Sequence, residues 1–462
     1  MMERKNINKK YKWNIESVYK NLEDWNKDLE KVQKNTLAFR KYENIDLMQK
    51  DFLLKSLKDY FTLNRFMEKL FVYAKMKKDE DLREEEGNIL FQKVAFIFSD
   101  MSNKTAFFIP KLLKLNLKKV LEMTGKEKNL NKYSFFFKKL FREKKHILSK
   151  EKEELIASFS ELSSASSEIF DMLVDADMSF GKIKNEKGVL EELTNETYRK
   201  FINSEKRKVR KDAYNGLYKV YNEHLNTIAT TYAFSLKTDK LYTNLRKYST
   251  ALEKGLSSDN VPEKVYRNLI NTVKANLPSL YKYLKLRKKT LNLKKLMPYD
   301  LYVSIIKYNE KTVKYGDAIS LLEKALRPLG SEYIKNFKKG IKERWVDVYQ
   351  NKGKAGGAYS FGSYDTSPFI LLNYGNKLRD VWTLVHEMGH SMHSYFTRKS
   401  QDFIYGGHSI FTAETASTVN EILLTKYLLK NARNKKEKAY YFNIYLEGFR
   451  TTLIRQTMFA EF

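Results

Sequence analysis

The sequence predicts a mainly α-helical protein in two parts, with one short strand-bearing insertion ahead of a histidine-rich helix. Three observations lead there. Only six prolines occur in 462 residues, none before Pro110, so long helices can run without the ring clash that breaks them. Apolar residues recur at helical spacing along most of the chain. Five of the 18 glycines fall between 351 and 375, marking one local departure from helix.

Taken in order, the start "MMERKNINKKYKW" is basic, and no apolar stretch follows it as in a secretory leader. "NLEDWNKDLEKV" then sets Leu22, Trp25, Leu29 and Val32 at helical spacing. The apolar runs, of which "VAFIF" at 94–98 is typical, are far too short to span a membrane. "EKEELIASFSELSSASSEIFDMLV", 151–174, reads as helix with Leu155, Ile156, Phe159 and Leu162 on one side. "FGKIKNEKGVL", 180–190, reads as a hairpin with a glycine in its turn. Helical periodicity resumes near Thr194 and continues through "AYNGLYKVYNEHLNTIATTYAF". The boundary is therefore expected at 190, with a helical part over 1–190 and a second domain over 191–462. In "NKGKAGGAYSFGSYDTSPFILLNYG" a loop leads into an extended strand, and Pro368 confines that stretch to an edge or an irregular place.

Composition narrows the class. Hydrophobic residues at 42% and aromatics at 14% supply a large core and exclude a disordered chain. Without cysteine there is no disulfide, thiolate metal site or Cys nucleophile, which fits a reducing compartment and a cytoplasmic protein. The net charge of +30 raises nucleic acid, an anionic membrane or acidic substrates as partners. Yet lysines spread from "KKLFREKKH" to "NARNKKEK" with glutamates among them, beside abundant Asn, Ile, Tyr and Phe. That is the mark of AT-rich codons rather than a basic patch, so neither nucleic acid nor membrane is expected as a partner.

"LVHEMGHSMHSYF", 384–396, holds three of the six histidines. On a helix at roughly 100° per residue, His386, His390 and His393 form one stripe, while Leu384, Val385, Met388 and Met392 back it. Two imidazoles at i and i+4 can ligate one tetrahedral zinc, and Glu387 beside the first can serve as general base for water on that metal. Gly389, beside the stripe, leaves room for something to approach closely. The metzincin pattern fails, because His393 and Phe396 stand where Gly and His belong. Three ligands from one straight helix hardly converge, so a second helix, "IFTAETASTVNEILLTKYLLK" at 410–430, is expected to supply Glu414 as third ligand. Glu421, two turns on, is a candidate acceptor for a ligand's other ring N–H, or simply a solvated glutamate. His408, in "YGGHSI", lines the cleft and helps bind substrate, or is an ordinary loop histidine.

"TLVHEMGHSMHSYF" followed by "IFTAETASTVNE" resembles the oligoendopeptidase F group of the thimet-oligopeptidase-like zinc peptidases. "YKWNIESVYKNLEDWNKDLEKV", "RKYSTALE", "MPYDLYV" and "GAYSFGSYDTSPFILLNY" extend the likeness over nearly the whole chain. The resemblance implies a two-lobed helical ellipsoid with a deep channel, a thermolysin-like zinc helix pair on its floor and a small β-sheet beside it. It implies one Zn2+ per chain on His386, His390 and Glu414, with Glu387 as base. It also implies substrate backbone pairing along the strand near Gly357, Ala358 and Tyr359, with His408 alongside, and short unstructured peptides as substrates. Against that family, "RTTLIRQTMFAEF" stops early, so the expectation includes a C-terminally incomplete catalytic domain or a segment supplied in trans. The function expected is zinc-dependent endopeptidase. The alternatives are a non-catalytic zinc-binding fragment or partner subunit and, last, a basic nucleic-acid-binding protein.

Overall fold

The computed structural model describes residues 2–308 and 312–462. Helices dominate, and strands are few and short. The chain packs as two compact units, Met1–Lys150 with Glu310–Asn431, and Glu151–Asn309 with Ala432–Phe462. These bounds differ from the single cut expected at 190. The reason is packing: Phe369 and Leu371 bury their side chains in the same core as Trp13, Trp25 and the N-terminal helices. Composition along the chain carries no sign of such a return.

In the first unit, α1 (Leu22–Phe39), α2 (Lys50–Glu80) and α3 (Glu85–Thr105) build that core. The Asn21 side chain caps α1 by accepting the Asp24 N–H, and Trp25, Leu29 and Val32 are buried as the spacing predicts. A three-stranded sheet follows: β1 (Val346–Asp347), β2 (Tyr359–Phe361) and β3 (Phe369–Leu371), in the order β1-β3-β2. β1 runs parallel to β3, and β2 pairs antiparallel with it, Ser360 opposite Ile370. β1 and β2 are therefore the edge strands. Pro368, expected on an edge or irregular stretch, lies in the irregular stretch immediately before the central strand, where its missing N–H interrupts no ladder bond within β3.

The N-terminal segment is pinned to this sheet by buried charge. Arg4 Nη2 lies 2.7 Å from both Glu80 Oε1 and Asp347 Oδ2, and Lys354 Nζ lies 2.6 Å from Asp347 Oδ1. Trp13 donates its indole N–H to Glu80 at 2.7 Å. Two long helices close the unit, α4 (Leu378–Ser400) and α5 (Ile410–Lys430), which pack against each other.

The second unit contains the expected hairpin, Lys182–Lys184 paired with Leu190–Glu192. Thr194 caps the next helix through a reciprocal bond pair with Thr197. The predicted 151–174 helix breaks at Phe159, and Leu155, Phe159 and Leu162 of its apolar side are exposed. Buried Asp300 organises the unit, accepting from Arg207 and from Arg210 at 2.9 Å each. Among the described residues no helix is long and apolar enough to cross a membrane.

Candidate metal centre

α4 carries His386, Glu387 and His390, and α5 carries Glu414 and Glu421. α4 forms because Leu384, Val385, Met388 and Met392 give it a fully buried back, leaving the imidazole stripe on the other side. Polar contacts join α5 to α4: Asn420 donates to the Val385 carbonyl at 3.2 Å, and Trp382 Nε1 donates to Thr425 Oγ1 at 3.3 Å. The two helices cross at Gly389. A Cβ there would sit 2.6 Å from Ser417 Cα and 2.8 Å from the Ala416 carbonyl oxygen, so the room that glycine leaves is filled by the α5 backbone.

At this crossing three ligating atoms converge. His386 Nε2 and His390 Nε2 are 3.2 Å apart, and Glu414 Oε2 lies 3.3 Å from the first and 3.5 Å from the second. A tetrahedral zinc with bonds of about 2.0–2.1 Å requires ligand atoms roughly 3.3–3.4 Å apart. The chemistry of the set fits too. Glu421 Oε1 is 2.7 Å from His386 Nδ1, and since a carboxylate only accepts, Nδ1 carries the proton and Nε2 turns a lone pair inward. Lone pairs and a carboxylate facing one another at this range repel unless a cation lies among them. Two histidines and one glutamate would leave a tetrahedral zinc one ligand short, the composition of catalytic rather than structural zinc sets.

Glu387 is only 8% exposed and accepts the backbone N–H of Ser360, on the outer edge of β2. Burial holds its carboxyl above the usual range against the opposing charge of His386. Burial, the largest single influence, would depress His386, but the Glu421 hydrogen bond together with the charges of Glu421, Glu387 and Glu414 outweighs it and leaves the imidazole raised. His390 is lowered, chiefly by burial.

The remaining sequence candidates fall around this centre. Gly357 takes φ +78°, a left-handed conformation that suits glycine, and its carbonyl accepts from Asn373 at 2.9 Å. Ala358 leads into β2. The Tyr359 hydroxyl donates to Asp79 and its ring sits under Lys75, so that side chain is engaged with α2, while its backbone pairs with Leu371 of β3. His408 is exposed and stacks on His393, with centroids 3.9 Å apart and planes 18° apart. His393 itself lies outside the donor triangle, its buried Nδ1 without a hydrogen-bond partner among the described residues. Sequence reasoning missed Ser360, Ser391 and Ser417. Ser360 Oγ meets Ser391 Oγ at 2.8 Å, tying the edge strand to α4, and Ser417 touches Glu414. Only the i+3 spacing of Ser417 from Glu414 offered a signal.

Comparison with known proteins agrees with this architecture. Residues 200–462 match peptidase family M3, and residues 111–180 match oligopeptidase F. The chain is similar to oligopeptidase PepF of Bacillus subtilis, 40% identical over 97% of this chain and 67% of that protein. It is also similar to the group B oligopeptidase PepB of Streptococcus agalactiae, 38% identical over 99% and 76% of the two chains. Among solved structures, oligoendopeptidase-F from Enterococcus faecium superposes with a TM-score of 0.70 and 30% identity, covering 95% of this chain and 73% of that one. A crystal structure from Chlamydophila abortus reaches a TM-score of 0.86 at 32% identity, over 100% and 77% of the chains. With a triad able to hold a metal ion on two crossed helices and relatives of this kind matching nearly its whole length, the chain belongs to peptidase family M3, as a metalloendopeptidase of the oligoendopeptidase F type.

Proposed function

We propose that the protein is a zinc-dependent endopeptidase that hydrolyses internal bonds of short, unstructured oligopeptides in the cytoplasm. The observation that carries this is the triangle of His386 Nε2, His390 Nε2 and Glu414 Oε2, with edges of 3.2, 3.3 and 3.5 Å, beside the carboxyl of Glu387. Zinc bound in such a set supplies Lewis acidity to a carbonyl oxygen and makes water acidic enough to lose a proton near neutral pH.

The chain's own residues do the rest. Glu387 takes the proton of the attacking water and delivers it to the leaving amine, a role supported by its position next to a ligand and by the Ser360 N–H that holds it. Glu421 keeps His386 in the tautomer with Nε2 free, supported by the 2.7 Å contact. The outer edge of β2, from Gly357 through Ala358 and Tyr359, binds substrate main chain as an added strand, and His408 borders that path. Pairing of this kind suits extended peptides and gives no purchase on folded proteins. No observation favours a non-catalytic fragment, a nucleic-acid-binding protein or a segment supplied in trans.

The test is cleavage of a quenched fluorescent oligopeptide by the protein with one equivalent of zinc, beside chelated protein and Glu387→Gln. Cleavage that needs both metal and Glu387 is expected. Cleavage by the Glu387→Gln variant at the unaltered rate would sink the assignment.

A further inference from the structure

Glu414 is an awkward ligand. Its side chain is 60% exposed, whereas the two histidines it must meet are 26% and 19% exposed. A glutamate that free ordinarily samples several rotamers, and each departure breaks the donor triangle. Something must fix Oε2.

Ser417 is built to do so. It is fully buried at 0% exposure, one turn after Glu414 on α5, where Gly389 lets the two helix backbones meet. Its Oγ lies 2.8 Å from Glu414 Oε2, the same oxygen that faces both histidines. The hydroxyl is also 2.9 Å from the Glu414 carbonyl oxygen, and one proton cannot serve both. That carbonyl, however, already accepts from Thr418 Oγ1 at 2.6 Å. The Ser417 proton is thereby left for the carboxylate, where a charged acceptor makes the stronger bond.

We propose that Ser417 is the positioning residue for the third ligand: its buried hydroxyl locks the Glu414 carboxylate in the ligating rotamer. The inference rests on the metal assignment made above. A metal site's affinity depends on the groups that orient its ligands, and losing one typically costs about 10–100-fold.

The experiment measures zinc Kd by competition with a chromophoric chelator, on the full chain and on S417A, E414A and the double variant. Thermal unfolding of each metal-free protein runs alongside. Alanine fits a buried helical site and favours helix, so metal-free S417A should unfold at the temperature of the unaltered protein. S417A is expected to bind zinc about 10–100-fold more weakly, while in the E414A background the same change alters Kd less than about threefold. A Kd for S417A within threefold of the unaltered chain overturns the proposal. So does an equal loss in both backgrounds, because Ser417 would then act by another route. If the unaltered chain binds no zinc, the metal assignment itself falls, and this inference with it.

Discussion

Replacing Gly389 with alanine tests whether the helix crossing sets the metal geometry. The added Cβ would meet Ser417 Cα at 2.6 Å and Ser417 N at 2.9 Å. Both are backbone atoms that no rotamer change can move. Ordinary contact begins near 3.4 Å, so α5 must retreat from α4 by about 0.8 Å. His386 and His390 share one helix and keep their 3.2 Å separation, while the 3.3 and 3.5 Å edges to Glu414 widen. Metal–ligand distances tolerate about ±0.2 Å, so Glu414 leaves the set or ligates weakly. Overpacking costs about 1–3 kcal/mol, and replacing glycine in a helix returns about 0.5–1 kcal/mol. The net destabilisation is then roughly 0–2.5 kcal/mol, a fall of at most a few degrees in Tm. Zinc affinity should fall further than stability, by at least about tenfold. Chelator competition and thermal unfolding of the metal-free protein measure the two separately. A G389A variant with unchanged zinc Kd would refute the claim that this crossing holds the donors in register.

Other outcomes are expected from single residues. Glu387→Gln should bind zinc normally yet lower kcat by about 10²–10⁴, read by pairing metal stoichiometry with peptide turnover. Glu414→Gln should lose most zinc at micromolar chelator, whereas Glu421→Gln, which can still accept the His386 N–H, should retain it; Glu421→Leu should fall between. Asp347 bears on stability. Burial opposes its charge, but Lys354 and Arg4 outweigh that and hold its carboxyl below the usual range. A lowered folded pKa means its stabilisation is present above about pH 3.9 and is lost as pH falls through the folded value. Asp347→Asn, which leaves buried Lys354 unpaired, should cost about 3–5 kcal/mol near neutral pH and flatten the acid limb of a urea-denaturation series. An unchanged pH profile would show that another carboxylate governs that limb.

How legible all this was varies by residue. The helices of 22–39, 378–400 and 410–430 announce themselves through apolar spacing, a local property. The histidine pair with Glu387 is equally local, because i and i+4 share a helix face whatever surrounds them. Glu414 was reached by elimination and a second apolar helix. On that helix Ile422 is exposed, while Ser417, Asn420 and Thr425 are buried along with Leu424 and Leu428. Apolar spacing does not single out this face, because polar contacts through Asn420 and Thr425 help to join α5 to α4.

The sequence by itself determined the class of chemistry: two imidazoles and a glutamate on one helical face, in a chain with no cysteine to compete for metal. Tertiary structure alone decided which residues serve that chemistry from outside the motif. Ser360 reaches Glu387 because an antiparallel pairing with β3 turns its N–H toward α4, and Ser417 reaches Glu414's ligating oxygen because glycine lets two backbones touch. Those contacts join positions far apart in sequence or depend on a rotamer fixed by burial. No periodicity encodes them, and their free energy exists only once the two helices and the sheet have packed.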